Sequence, residues 1–127
     1  MTLSLTILDE TFTLHRLEPD AEIPSVVSNS PFFSVMRTQD ELSLILPESV
    51  FIESEKSEPG WVCFKVEGPL EFSLVGVLAG ISSALAEAGV SIFALSTYDT
   101  DYILVKQEQV EAAKEALMVT GYSINGN

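Results

Sequence analysis

Alternating hydrophobic and polar residues run through most of the first half of the chain, which is the pattern of strands that bury one face. Residues 3–8 and 11–17 both alternate in this way, and the acidic pair Asp9-Glu10 between them predicts a turn. These two runs therefore predict an opening hairpin. Residues 32–38 and 41–47 predict two further strands, which are joined by a short polar turn.

Prolines and a polar stretch interrupt this strand-rich region. The position of Pro24 before Ser25 suits the first turn of a helix, so a short helical turn is predicted there. Residues 54–60, SEKSEPG, are polar and contain Pro59 and Gly60, which is typical of a linker. We therefore expect two domains, an N-terminal lobe of residues 1–58 and a C-terminal lobe of residues 59–127.

In the second half of the chain, hydrophobic residues recur at every second position, then at helical spacing, and then at every second position again. A strand at residues 61–67 precedes an apolar stripe with helical spacing, and Gly89 ends this helix as a C-terminal cap. Strands follow at residues 90–96 and 101–106, then a second helix that stops at Gly121 and a last strand at residues 122–125. The stripe of the first helix consists of Leu74, Leu78, Ile81 and Leu85.

The element order β-α-β-β-α-β is the ferredoxin-like arrangement, in which both helices cover one face of an antiparallel sheet. The first half has similar strands but a shorter helical segment. We therefore predict an α+β fold of two ferredoxin-like lobes with antiparallel sheets, the first lobe being a reduced copy of the second. Because sheet edges must be paired or covered, we also expect side-by-side pairing of lobes and a homodimer.

Charge and composition limit the function classes. The 127 residues include 6 basic and 19 acidic side chains, so the formal net charge is −13. Few phosphates can be neutralised by so few cations, which argues against nucleic acid and anionic membranes as partners. The acidity fits a solvated surface or a docking face for a basic partner. The first residues lack the pattern of a signal peptide and no run is long enough to span a membrane, so a cytoplasmic protein is expected.

Candidate catalytic and metal-binding residues are few. His15 lacks a second ligand at metal-binding spacing, and Cys63 lies in a strand pattern where a small buried thiol is the simplest interpretation. No phosphate-binding glycine motif or nucleophile motif occurs in the sequence. We therefore expect neither a cofactor nor a catalytic residue, and an enzyme is the weaker hypothesis.

Two segments can form a site for a small zwitterion. The segment GPLEFSLVG, residues 68–76, leads from a strand into a helix N-terminus, where unpaired amide groups attract a carboxylate, although Ser73 can instead cap the helix. Glu71, Asp99 or Asp101 can bind an ammonium group through a charge-assisted hydrogen bond. The segment STYDTD, residues 96–101, is either a solvated hairpin tip or, as we interpret it, two strands that meet at a tight turn, where Tyr98 and Tyr102 can shape a pocket.

The sequence GPLEFSLVGVLAGISSALAEAGVSIFALSTYDTDYILV resembles the ACT domain, a regulatory module that binds amino acids. It is similar to the subtype of small bacterial tandem-ACT proteins and of the ACT lobes of cytosolic arginine sensors and aspartate kinases. The resemblance is specific over residues 61–120, and residues 32–48 look like a strand pair of a partner lobe. A departure from the family is Glu71, which stands where an aspartate is frequent.

The resemblance implies that an effector binds between lobes, along the strand-to-helix loop and the strand after the first helix. It also implies a contribution from the first lobe, for which Ser34, Val35 and Met36 are candidates. The implied ligand-binding residues are Ser34, Val35, Pro69, Leu70, Glu71, Phe72, Ser73, Leu74, Val75, Gly76, Ala94, Leu95, Ser96 and Thr97. Ser96 and Thr97 are expected to face this site, while Thr100 and Asp101 hold the turn.

The leading hypothesis is a non-catalytic regulatory protein that binds a small amino acid and acts on a protein partner. The alternative is an ACT-like dimerisation or interaction module without a small-molecule ligand. A small enzyme of ferredoxin-like fold is a third hypothesis, which needs a convergent acid and base in the same cleft.

Overall fold

The computed structural model describes residues 3–68 and 75–126. Within these residues the chain forms strands, two α-helices (α1 and α2) and short 3-10 helices at Ser25–Asn29 and Gln107–Gln109. The short helical turn predicted at Pro24 or Ser25 is confirmed by the first of these. The strands and helices are β1 Ser4–Leu17, β2 Ser34–Arg37, β3 Leu42–Pro47, β4 Lys56–Val66, α1 Val77–Glu87, β5 Ile92–Ser96, β6 Asp101–Lys106, α2 Val110–Val119 and β7 Ser123–Asn125.

The chain divides into two compact units. The first unit comprises the residues up to Asp9 together with those from Val62 onward, and the second comprises Glu10–Trp61. The division predicted from the sequence, at residues 58 and 59, stays a prediction about lobes. The compact units differ from it because the first part of β1 belongs with the second half of the chain.

The first unit has the predicted α+β, ferredoxin-like arrangement. Its strand order is β7-β1-β4-β6-β5, and β5 pairs antiparallel with β6 in a register that places Ile92 opposite Val105. β7 pairs in parallel with the start of β1, where Ser4 lies opposite Ser123. Because side chains alternate along a strand, β1, β4 and β6 send every second residue to this core. The fully buried side chains of this core include Leu5, Phe64, Val66, Ile81, Leu85, Val105, Ala113 and Leu117.

Both helices of the first unit end at a glycine in a left-handed conformation, as predicted. Gly89 has φ +75° and Gly121 has φ +103°. The amide of Gly89 donates to Ala86 O at 3.0 Å, and the next amide, of Val90, donates to Leu85 O at 2.9 Å. This pair of bonds satisfies carbonyl groups that a helix end otherwise leaves without partners. The helices therefore stop where the apolar stripe stops.

The second unit is a strand-rich lobe in which a 3-10 helix stands in place of an α-helix. β3 lies between β2 and β1, and it pairs antiparallel with both. The core contains Leu17, Val27, Leu42, Leu44, Leu46 and Ile52. The ring of His15 is also buried on β1, and its Nδ1 lies 2.9 Å from Ser54 Oγ. The short 3-10 helix agrees with the shorter helical segment that the sequence predicts for the first half of the chain.

Two local predictions are wrong. The opening hairpin is absent, because β1 continues as one strand from Ser4 to Leu17 through Asp9 and Glu10. Both acidic residues are exposed at the point where the strand leaves one compact unit and enters the other, so the alternation stops while the strand continues. The polar stretch at residues 54–60 is not a linker, because β4 already starts at Lys56.

Candidate functional site

The turn between β5 and β6 is a tight, internally bonded structure. The amide of Thr97 donates to Thr100 O at 2.8 Å, and the Thr97 hydroxyl lies 3.3 Å from the amide of Thr100, from which it accepts. At the base of the turn the hydroxyl of Ser96 donates to the carboxylate of Asp101. These short polar side chains bond to nearby backbone and to each other, as predicted for a turn without glycine. The turn is therefore closed by hydrogen bonds among its own residues.

Thr100 also attaches this turn to β4. Its side chain is 6% exposed, and its hydroxyl donates to Val66 O at 2.6 Å. Val66 is the last residue of β4 and is fully buried. The bond therefore places the turn beside the point where β4 ends and the strand-to-helix loop begins.

A cavity of about 170 Å³ lies at this junction. Lys65 comes from β4, Tyr102 from β6, and Asp99 from the turn, so both signs of charge line one small space. Lys65 lies between Phe64 and Val66, whose side chains belong to the core, so alternation places it on the other face of the strand. The lining residues are Lys65, Gly68, Thr97, Asp99, Thr100 and Tyr102.

A second cavity, of about 280 Å³, lies at the start of α1. Val75, Gly76 and Val77 line one side, and Thr120 and Gly121 at the end of α2 line the other. Gly76 precedes the helix with φ +83° and, as a glycine, has no side chain with which to cap the first turn. The cavity therefore faces backbone amide groups at a helix N-terminus.

The residues predicted to bind a ligand are distributed over several places. Pro69, Leu70, Glu71, Phe72, Ser73 and Leu74 lie outside the described residues, as does the alternative role of Ser73 as a helix cap. Thr97 lines the first cavity and Val75 and Gly76 line the second. Ala94, Leu95 and Ser96 lie on β5, and Ser34, Val35 and Met36 lie on β2 in the second unit.

Sequence analysis did not single out Lys65. This residue lies in a strand pattern, where the polar member of an alternating pair is usually a surface residue. A usable signal was present, since Lys65 lies within a few residues of the predicted site segment at residues 68–76, and the other predicted segment lies at residues 96–101. This closeness in sequence indicates a site residue only when the two segments are known to meet, and the hydrogen bond from Thr100 to Val66 shows that they do.

Several titratable groups away from the first cavity have a perturbed pKa. Burial raises the pKa of the Cys63 thiol to about 12, so this side chain is a poor nucleophile near neutral pH. Burial also lowers the pKa of His15 below its usual 6.5. A hydrogen bond between the exposed carboxyls of Glu18 and Glu55 raises the pKa of Glu18 and lowers that of Glu55.

Among residues 3–68 and 75–126, no cluster of three or more histidine, cysteine or acidic side chains is arranged to hold a metal ion. None of the helices in these two ranges is both long and apolar enough to cross a membrane.

Comparison with known proteins identifies the family. The sequence model of the ACT domain matches residues 56–118, and a second family model, for an N-terminal domain, matches residues 10–50. A crystal structure of a protein from Agobacterium tumefaciens is 31% identical, with a TM-score of 0.91, and the match covers 100% of this chain and 95% of that chain. The chain belongs to the ACT domain family.

More distant relatives have named activities. The cytosolic arginine sensor for mTORC1 subunit 1 of Pongo abelii is 26% identical over 125 residues, which cover 91% of this chain. The chain spans 38% of the length of that relative. Aspartate kinase of Clostridium acetobutylicum has a TM-score of 0.72 over 94% of this chain and 34% of the kinase, at 14% identity, which shows the common fold alone.

Proposed function

We propose that the chain is a non-catalytic regulatory protein that binds an amino acid. The observation that carries the proposal is the junction at which the Thr100 hydroxyl bonds to Val66 O and the end of β4 meets the β5–β6 turn. The resemblance to ACT domains implies a site along two segments. One is the strand-to-helix loop, which begins at the end of β4, and the other is β5, which ends at this turn. A cavity lies at the junction and is lined by Gly68 of one segment and Thr97 of the other.

The chemistry of the cavity supports an amino-acid ligand. An amino acid carries a carboxylate and an ammonium group a short distance apart, and it needs groups of both signs to bind it. Lys65 and Asp99 supply those signs within one space of about 170 Å³. Charge-assisted hydrogen bonds of this kind are about twice as strong as those between neutral groups. The arginine-sensor relatives support the same class of ligand.

The absence of a catalytic step is part of the proposal. The thiol of Cys63 is buried, with a pKa of about 12, and His15 belongs to the second unit. Neither residue lines the cavity, whose lysine and aspartate suit binding. We further propose a cytoplasmic location, self-association as a homodimer and an effect on a protein partner that depends on the bound amino acid.

A thermal-shift screen of the purified chain against the twenty amino acids tests the proposal. A ligand at about one hundred times its dissociation constant stabilises the folded state by about 2.7 kcal/mol, which raises the melting temperature by several degrees at this chain length. A shift with one or a few amino acids is expected. The absence of a shift with all of them would contradict the proposal and favour an ACT-like interaction module.

A further inference from the structure

We infer that the cavity at the end of β4 selects a small amino acid with no net charge. The α-carboxylate binds at Lys65 and the α-ammonium group binds at Asp99. This inference rests on the proposed function and adds the class of ligand and the two residues that recognise it. It is drawn from the six residues that line the cavity.

Lys65 is suited to bind a carboxylate at a fixed position. Its backbone belongs to β4 between the buried residues Phe64 and Val66, so the strand cannot move locally without disturbing the core. The residue is half-buried, so its side chain has less freedom than that of a fully exposed lysine. A lysine ammonium offers three donors, so it can bind one carboxylate oxygen and a neighbouring acceptor together.

Asp99 is the acidic residue that the structure places at the cavity. Sequence analysis left three candidates for the ammonium group. Of these, Glu71 lies outside the described residues, and Asp101 accepts a hydrogen bond from Ser96 at the base of the turn. Asp99 lines the cavity and lies in the turn that Thr97 and Thr100 hold together.

The size and charge of the cavity define the rest of the ligand. Pockets that bury drug-sized ligands have volumes of about 300–1,000 Å³, whereas this cavity has about 170 Å³. The two charged groups of an amino acid use Lys65 and Asp99, and the other described residues that line the cavity are a glycine, two threonines and a tyrosine. Among these residues a charged ligand side chain would therefore find no second opposite charge to offset its desolvation. Glycine, alanine and serine fit these conditions better than arginine or glutamate.

Isothermal titration calorimetry on the full chain tests the ligand class. The probes are glycine, L-alanine, L-serine, L-arginine and L-glutamate, together with L-alaninamide and L-lactate. L-alaninamide lacks the carboxylate of L-alanine, and L-lactate has a hydroxyl in place of the ammonium group. We expect a neutral amino acid to bind most tightly, and each analogue to bind at least about tenfold more weakly than L-alanine.

Matched variants test the two residues. Lys65→Met and Asp99→Asn remove one charge each with little change in shape, and each is expected to weaken binding of the neutral amino acid by roughly 10- to 100-fold. Lys56→Met changes another lysine of β4, and Asp20→Asn changes an exposed aspartate of the second unit; neither lines the cavity. Both controls are expected to bind like the unmodified chain.

The outcomes separate this inference from the proposed function. Binding of arginine or glutamate alone, or unchanged affinity in both cavity variants, overturns the inference while amino-acid binding stands. Binding of no amino acid overturns the proposed function and the inference together. If a variant fails to fold, the affinities of the unmodified chain for L-alanine and its two analogues are compared. Equal affinity for L-alanine and either analogue overturns the inference, because one of the two charged groups would then not be recognised.

Discussion

Replacing Thr100 by valine removes a single buried hydroxyl group with almost no change in volume. That hydroxyl donates to Val66 O at 2.6 Å, and both residues are buried, at 6% and 0% exposure. A valine side chain cannot donate, so the bond is lost while the apolar contacts remain. The substitution therefore isolates the hydrogen bond that joins the β5–β6 turn to β4.

The expected cost follows from the surroundings of the carbonyl group. A buried acceptor that loses its partner costs the free energy of its desolvation, about 1–3 kcal/mol. The hydroxyl of Thr97 also accepts from the amide of Thr100, a bond that valine retains because it involves the backbone. We therefore expect the free energy of unfolding of Thr100→Val to fall by about 2 kcal/mol. Ligand affinity should fall as well, because the turn carries Asp99 at the cavity.

Urea unfolding followed by circular dichroism measures this change. Thr100→Ser is the matched control, since serine keeps the hydroxyl and loses a methyl group, and it should retain the bond to Val66. A loss below about 0.5 kcal/mol in Thr100→Val, or an equal loss in both variants, would show that the hydrogen bond does not hold the turn. The midpoint should shift with little change in the slope of the transition.

Three further predictions concern stability and reactivity. The sole histidine, His15, has a folded-state pKa lowered by burial, so the unfolded state takes up its proton first as the pH falls below about 6.5. The free energy of unfolding should therefore be highest above that pH and decrease below it, and His15→Gln should flatten this part of the profile in urea titrations; an unchanged profile would contradict the assignment. Gly89→Ala should lower the free energy of unfolding by about 1 kcal/mol, because φ is +75° there although no atom lies within 4 Å of the added methyl group; a neutral effect would refute the strain. Cys63, with its pKa raised to about 12 by burial, should resist a thiol reagent near neutral pH and react when the chain is unfolded in urea; rapid labelling of the folded chain would disprove its burial.

The elements of the second half could be predicted because local and tertiary preferences agree there. The apolar stripe that includes Ile81 and Leu85 ends where Gly89 supplies a left-handed cap, so pattern and capping indicate the same boundary. Leu74, with which the predicted apolar stripe starts, lies outside the described residues, and α1 runs from Val77. The start of this helix is harder to place from the sequence because the residue before it, Gly76, has no side chain that could signal a cap.

In the first half of the chain, polar residues do not mark the ends of the strands. Asp9 and Glu10 are exposed, yet the backbone around them stays extended within β1. Lys56 and the residues after it are also exposed but belong to β4, where Gly60 has φ +82°, a conformation typical of bulges. Hydrophobic alternation reports burial of side chains and does not report backbone pairing, so exposed parts of long strands are missed.

The candidate site could be predicted in outline from its segments. Local bonding was predicted for Thr100 and Asp101, and both take part in hydrogen bonds at the turn. Thr97 was included because the resemblance to ACT domains implied it. Lys65 could not be identified, because its role depends on a contact between segments that are 34 residues apart, Thr100 with Val66. Only the tertiary structure shows that contact.

Mapping the ligand by amide chemical shifts tests the central claim most directly. The uniformly ¹⁵N-labelled chain is titrated with the amino acid that gives the largest thermal shift, and changes in the two-dimensional spectrum are assigned to residues. Binding at the cavity predicts the largest changes at Lys65, Gly68 and residues 97–102, with a saturation curve common to all of them. Changes that cluster elsewhere in the chain, or a spectrum unchanged by any amino acid, would contradict the account.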